Sequence, residues 1–396
     1  MGKLCDCCQG RGGHLLLSQG FRRSCESAVT KAKIFTAIGV ISGTSMDGID
    51  VGLIETDGVR VIETGPGSIT PYEPAVRQRL IDLVGDPDRA ERDPLVALEA
   101  DVTAAHVGAV KDFMVANRIA AEAIDIVGLH GQTVLHRPSR RLTRQLMDGA
   151  TAARLLGIDV VCRFRHADVA AGGEGAPLVP LYHRALAAGL AQPVMVLNLG
   201  GVGNVTYIDG DTVIAFDTGP ASALIDDFVR RRCGVAFDRG GRIAAQGRVR
   251  DDLVAALMAN PFFDRAPPKS LDRNAFHAHA AIVDGLSDAD GAATLTAFTV
   301  EATAAALRHV PRVPARWLVA GGGRLNDVLI GGLRQRLGVT VEPVEAVGWR
   351  GDFVEAECFG FLAVRSLLGL PLSLPTTTAV PRPMTGGVLW RAAPKS

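Results

Sequence analysis

The sequence has no surplus of charge of either sign: 42 lysines and arginines stand against 42 aspartates and glutamates. That balance removes the electrostatic case for a nucleic-acid or anionic-membrane partner. It also lacks any apolar run near the roughly 20 residues that a membrane helix needs. His14-Leu-Leu-Leu17 is too short for the apolar core of a secretion signal, so a cytoplasmic protein is expected. Paired cysteine spacing is missing as well. Cys5, Cys7, Cys8 and Cys25 crowd into the N-terminus, but Cys-x-Cys-Cys with one distant partner is poor spacing for zinc. Residues 1–35 therefore read as a disordered extension, or a start placed too early, ahead of a fold that begins near Thr36. Cys162, Cys233 and Cys358 sit in apolar surroundings and read as buried thiols.

What remains is an ordinary globular composition, 47% hydrophobic and 21% charged over 396 residues. That length suits two domains, each with a sizeable core. Within it, Ser42-Gly-Thr-Ser-Met-Asp-Gly-Ile-Asp50 lies between the apolar runs Thr36–Ile41 and Val51–Glu55. Strand, polar turn, strand is a hairpin. Gly43 at its tip lets backbone approach an anion, and Thr44 and Ser45 supply hydroxyl and amide donors. Asp47 or Asp50 can hold the hydrated Mg²⁺ that accompanies a nucleotide.

Helical spacing follows over Val76–Val84 and Pro94–Asn117. A buried strand, Ile124–Leu129, then ends on His130-Gly-Gln-Thr133. Thr151–Gly157 reads as a short helix and Asp159–Cys162 as a strand, before the glycine-rich loop 170–177. Near residue 193 the pattern restarts. Pro193–Leu199 is a strand, Gly200-Gly-Val-Gly203 a turn, and Asn204–Ile208 its return. Thr212–Phe216 is a third strand, ending on Asp217-Thr-Gly-Pro220; helices dominate 221–307. Arg316–Ala320 is a last buried strand running into Gly321-Gly-Gly323 and a helix. Two halves that each open with a glycine-tipped hairpin predict an α/β protein of two duplicated domains, 36–191 and 192–396. A cleft lies between them at the strand ends, with the last segment packing back on the first domain.

These residues carry a resemblance. Ser42–Gly48 resembles the first phosphate hairpin of the sugar-kinase/Hsp70/actin superfamily, whose domains are actin-like (ribonuclease H-like). Asn198–Asn204 resembles its second phosphate hairpin, and Val319–Asn326 its adenosine motif. Within the superfamily the chain is similar to the anhydro-N-acetylmuramic acid kinases. The family pieces are Gly128–Thr133, Phe164–Asp168 with Gly172–Pro180, Phe216–Pro220, Pro268–Ser270 and Val354–Ala356. Departures are Ala221-Ser222, where the family writes Gly-Asn, and Glu174, where it commonly has Gln.

The resemblance implies that ATP, Mg²⁺ and water convert 1,6-anhydro-N-acetylmuramic acid to N-acetylmuramic acid 6-phosphate and ADP, in peptidoglycan recycling. It assigns Gly43, Thr44, Ser45, Met46, Asp47, Gly48, Ile49 and Asp50 to the phosphates, with Asp47 reaching Mg²⁺ through water. Gly200, Gly201 and Asn204 form the opposing clamp; Gly321, Gly322, Gly323 and Asn326 take adenosine. Asp217 matches the family's catalytic base, its alternative being an Asx turn or a helix cap. Glu355 matches a family glutamate at the sugar. His130, Gln132, Asn198, Arg163 and Asp168 are expected around the substrate, an arginine fork suiting the lactyl carboxylate. Asp168 is the rival base. Lys269 and Ser270 either line the nucleotide cleft or cap a loop. The family also implies a homodimer. The competing readings are a kinase of another anhydrosugar such as levoglucosan, and an actin- or chaperone-like ATP switch.

Overall fold

The computed structural model describes residues 33–43 and 45–393. Thr44 and the four N-terminal cysteines lie outside the described residues, as does the expected extension up to residue 32. The first sheet starts with β1 (Phe35–Ser42), β2 (Gly48–Thr56) and β3 (Val61–Pro71), joined as consecutive antiparallel neighbours. β4 (Ile126–Arg137) and β6 (Val160–Cys162) add parallel strands beyond β1; β5 (Leu142–Leu146) folds back on β4. The second sheet comprises β7 (Val194–Leu199), β8 (Val202–Asp209), β9 (Thr212–Pro220), β10 (Arg316–Ala320) and β11 (Thr340–Pro343). Its order, β11-β10-β7-β8-β9, repeats the order β6-β4-β1-β2-β3 of the first. The directions match too: two antiparallel pairs on one side of the first strand and two parallel pairs on the other. The chain is an α/β protein with a duplicated ribonuclease H-like sheet.

β1 and β2 are buried almost along their whole length, so they read as continuous apolar runs rather than alternating ones. Separate apolar clusters cover the two faces of this sheet. One face receives the helix Val354–Leu367, which belongs to the C-terminal part of the sequence. Glycines admit it. Gly39 is the ladder partner of both Gly52 and Gly128, giving three side-chain-free positions in a row. A Cβ on Gly39 would lie 1.9 Å from the Ala356 carbonyl oxygen, and one on Gly128 2.1 Å from that of Phe359. The helix backbone therefore rests directly on the sheet, and this contact sets the position of Glu355 one residue before Ala356. Gly39→Ala is expected to cost about 1–3 kcal/mol or more through overpacking. Urea unfolding would read it, and an unchanged midpoint would contradict the account.

Some sequence expectations need correction. The strand expected to end at Leu129 runs on to Arg137, because β5 supplies a pairing partner for its second half. His130–Thr133 thus lie within a strand, not after one. Cys233 is only half-buried; it ends the helix Ser222–Cys233, where Gly234 turns the chain outward in the left-handed conformation. Cys162 and Cys358 are buried. The chain end returns to the first sheet as β12 (Val388–Trp390), antiparallel to β6.

Candidate active site

A cavity of about 780 Å³ is lined by Ser45 and Asp47 from the β1–β2 turn and by Gly200 and Gly201 from the β7–β8 turn. Gly322, Gly323 and Asn326, after β10, complete it. Both glycine-tipped turns and the third glycine run thus meet at one place. Arg77 also lines it, clipping the first turn: its Nε donates to the Met46 carbonyl at 3.0 Å, and it pairs with Asp47 at 3.3 Å. Met46 and Ile49 are buried in the apolar core and anchor the turn. Gly43 offers its carbonyl to Gln132 Nε2 at 3.2 Å, and Gly48 is packed under Ile69. Gly321 has φ of 76°, and a Cβ there would meet Asn198 Oδ1 at 2.4 Å. Asn326 Oδ1 accepts from the Leu329 amide at 3.1 Å and so caps the helix Asp327–Leu337, while the residue still borders the cavity.

Next to it lies a smaller cavity of about 190 Å³. Its walls are largely apolar, with Ile41, Pro177, Leu178, Val179 and Phe359, and its polar groups are Arg165, Asn198, Asn204 and Glu355. A few polar groups on an apolar floor suit a small ligand with a ring and charged or amide substituents. A contiguous space of about 120 Å³ shares Val179, Asn198 and Glu355 and adds Asp50, Asp352 and Gly321. Consecutive residues therefore face different spaces: Asn198 and Gly321 the smaller pair, Leu199, Gly200 and Gly322 the large cavity.

Glu355 opens to solvent on the cavity side and is crowded by protein elsewhere; desolvation raises its pKa, opposed by the Arg165 charge. Asp50 is pushed up to about 6, by burial first and then by the charges of Glu355 and Asp352. Asp217 stands on β9 opposite Asn204. Its Oδ2 accepts from the Leu271 amide at 2.7 Å, and its own amide donates to the Lys269 carbonyl at 2.9 Å. It caps no helix: the helix Ser222–Cys233 has Ala221 as its N-cap and no side-chain cap. Burial raises Asp217 to about 7, against the Leu271 hydrogen bond, with Glu174 raising it further and Lys269 lowering it. A carboxyl at that value is suited to proton transfer near neutral pH.

The anhydro-N-acetylmuramic acid kinase family model matches residues 35–392. The chain belongs to the anhydro-N-acetylmuramic acid kinase family. Family members from Rhodospirillum rubrum and Paramagnetospirillum magneticum are each 52% identical to it, over 90% and 89% of this chain and 94% and 98% of theirs. Among solved structures, component A of the Acidaminococcus fermentans (R)-2-hydroxyglutaryl-CoA dehydratase aligns with TM-score 0.46 at 10% identity, covering 84% of this chain and 99% of that one.

Not every residue that the family resemblance suggested reaches the cavities of this kinase. Arg163 is exposed, in a left-handed turn (φ 60°), and lines neither cavity; Arg165, two residues on, does. Asp168 is buried, accepting from the Gly175 amide at 2.6 Å, from Thr378 Oγ at 2.6 Å and from Ser373 Oγ. It ties the glycine-rich loop to the C-terminal segment, with no oxygen left facing a substrate. His130 is buried with both ring nitrogens used: Nδ1 meets the Gly131 carbonyl, and Nε2 accepts from Arg165 Nε, each at 2.8 Å. Desolvation and the Arg165 charge hold it neutral, well below its usual value. Gln132 Oε1 accepts from Ser42 Oγ at 2.6 Å, so it braces the base of the first turn. Asn204 faces the smaller cavity, not the phosphate clamp. Ser222 borders the large cavity. Sequence reasoning missed Arg77, Asp226, Arg230 and Asp238 there, since scattered charged residues on helices and loops carry no local signature.

Proposed function

We propose that this kinase opens 1,6-anhydro-N-acetylmuramic acid with water and transfers the γ-phosphoryl group of ATP to O6. The observation that carries the reading is the adjacency of the cavities. Strand ends that line the large, glycine-walled cavity line the smaller one with the neighbouring residue. ATP in the first would point its phosphates at a sugar in the second. Asp217 takes a proton from water as the water oxygen bonds C1. The C1–O6 bond breaks, and O6 bonds the γ-phosphorus as ADP leaves. Glu355 lies at the sugar and orients the C1 end; Arg165 binds the lactyl carboxylate.

Asp217 stands on β9 of the second sheet and lines none of the three cavities, whereas Glu355 stands on the helix packed against the first sheet. The charges perturbing Asp217 are Glu174 and Lys269 rather than Glu355. Closure of the two halves over the sugar would bring them to one reacting centre and exclude water. We place the boundary between the halves near residue 192. Among the described residues no group of three or more His, Cys, Asp and Glu is arranged for a metal. Asp47, three-quarters exposed and beside Arg77, fits Mg²⁺ held by phosphate oxygens and water, with Asp47 binding through water. That ion, when bound, neutralises charge on the transferring phosphoryl group. A cytoplasmic homodimer in peptidoglycan recycling completes the proposal; no described helix is long and apolar enough to cross a membrane.

The test is ADP release from ATP with 1,6-anhydro-N-acetylmuramic acid, with levoglucosan, and without sugar. Release stimulated only by the muramic sugar is expected. Preference for levoglucosan would displace the substrate assignment, and sugar-independent turnover would favour an ATP switch.

A further inference from the structure

Lys269 is a lysine out of place. It is 6% exposed, yet it forms no ion pair among the described residues. Its Nζ instead donates to the carbonyls of Phe262 at 3.0 Å and Phe263 at 3.3 Å, and lies 3.4 Å from His309 Nε2. The ring of Phe262 sits 4.7 Å away and that of Phe216 5.8 Å. Burying an ammonium is costly, and a methionine would fill such an apolar slot with less penalty. The backbone of the same segment reaches Asp217. The Lys269 carbonyl accepts from the Asp217 amide, and two residues on the Leu271 amide donates to the Asp217 carboxylate. Residues 269–271 are thus a strap across Asp217, anchored behind by the lysine side chain.

We propose that Lys269 is a positioning residue for Asp217: its ammonium, tied to the Phe262 and Phe263 carbonyls, pins the strap that grips Asp217 by both backbone and carboxylate. The proposal rests on Asp217 being the base. The charged and titratable groups around the pair are Glu174 facing Asp217, and Arg265, Asp264, Arg308 and His309 around Lys269. Desolvation, then the Arg265 charge, lowers the ammonium to about 8, so it remains largely charged at neutral pH and favours ionised Asp217.

The experiment compares Lys269→Met, Lys269→Arg and Asp217→Asn in the full chain by steady-state kinetics across pH. For Lys269→Met, KM for ATP and for the sugar should stay within about threefold while kcat falls about 10- to 100-fold, because the group loses its aim and not its ligands. The acidic midpoint of kcat/KM should also move to higher pH, since the cation that favours ionised Asp217 is gone. Lys269→Arg keeps the cation and should keep the midpoint, recovering part of kcat. A residue that merely fills space would give the reverse, with Met neutral and Arg harmful. Wild-type kcat and midpoint in Lys269→Met overturn the proposal while a dead Asp217→Asn leaves the base assignment standing. An active Asp217→Asn overturns both. If the methionine variant fails to fold, Lys269→Gln, which retains donors for the two carbonyls but no charge, is read by the same midpoint shift.

Discussion

Asp217→Asn is expected to retain ATP binding and to lose at least ~10²-fold in turnover. Asparagine keeps the acceptor for the Leu271 amide and removes the base. Titration calorimetry with a non-hydrolysable ATP analogue separates binding from turnover; near-normal kcat would sink the assignment. In the wild type, kcat/KM should fall as pH drops through about 7, the value to which burial raises this carboxyl. The same shift makes a stability prediction with a definite sign. Because the folded pKa lies above the unfolded one, folding is favoured by protonation, and that contribution is present below the ordinary carboxyl value of 3.8 and lost as pH rises toward 7. At neutral pH and above, the ionised carboxylate opposes folding. Asp217→Asn should therefore melt a few degrees higher than wild type at pH 8, with the gap closing toward pH 4. A variant that is inactive and less stable at pH 8 would argue that Asp217 holds the fold together.

The second large effect concerns Arg165. Its Nε donates to His130 and its Nη1 to the Gly175 carbonyl, both at 2.8 Å, while the residue borders the smaller cavity beside Glu355. Two of the fork's donors thus fix its plane before a ligand arrives, which is preorganisation. Arg165→Met should raise KM for the muramic sugar about 10- to 100-fold, the range for a charged hydrogen bond lost to a carboxylate. KM for ATP should not change. Arg165→Lys should rescue little, because one ammonium cannot satisfy His130, Gly175 and a substrate together. Arg163→Ala, outside the cavities, serves as the control, expected within about twofold of wild type. If Arg163→Ala raises KM and Arg165→Met does not, the placement of the substrate carboxylate is wrong.

The two arginines flank Phe164, one just before the motif Phe164–Asp168 and one inside it, and their separation shows where sequence reading stops. The run Phe164–Asp168 marks the place, but Arg163 leaves the cavities through its left-handed turn, a backbone property that its neighbours do not announce. Asp168 looked available for catalysis because its partners Ser373 and Thr378 lie more than 200 residues away. The hairpins were legible because their information is local: apolar strands and a glycine tip within a dozen residues. The duplication followed from reading that local unit twice, whereas the shared sheet order is visible only in the structure. By contrast, β12 is three residues long and pairs with Cys162 from position 388, leaving no periodicity to detect. The glycine trough under the helix Val354–Leu367 is written as single glycines on three strands, and only their alignment in the sheet gives them meaning. Lys269 stands in a recognisable motif, yet its inward direction depends on Phe262, Phe263 and His309 closing around it.

The most direct test of coupled ring opening and phosphoryl transfer is turnover of 1,6-anhydro-N-acetylmuramic acid with ATP and Mg²⁺ in ¹⁸O-water, with the sugar product read by mass spectrometry. The account predicts one ¹⁸O at C1 and an unlabelled phosphate on O6 of the same molecule. Phosphate on the sugar with no label at C1, or label at C1 without phosphate, would contradict it.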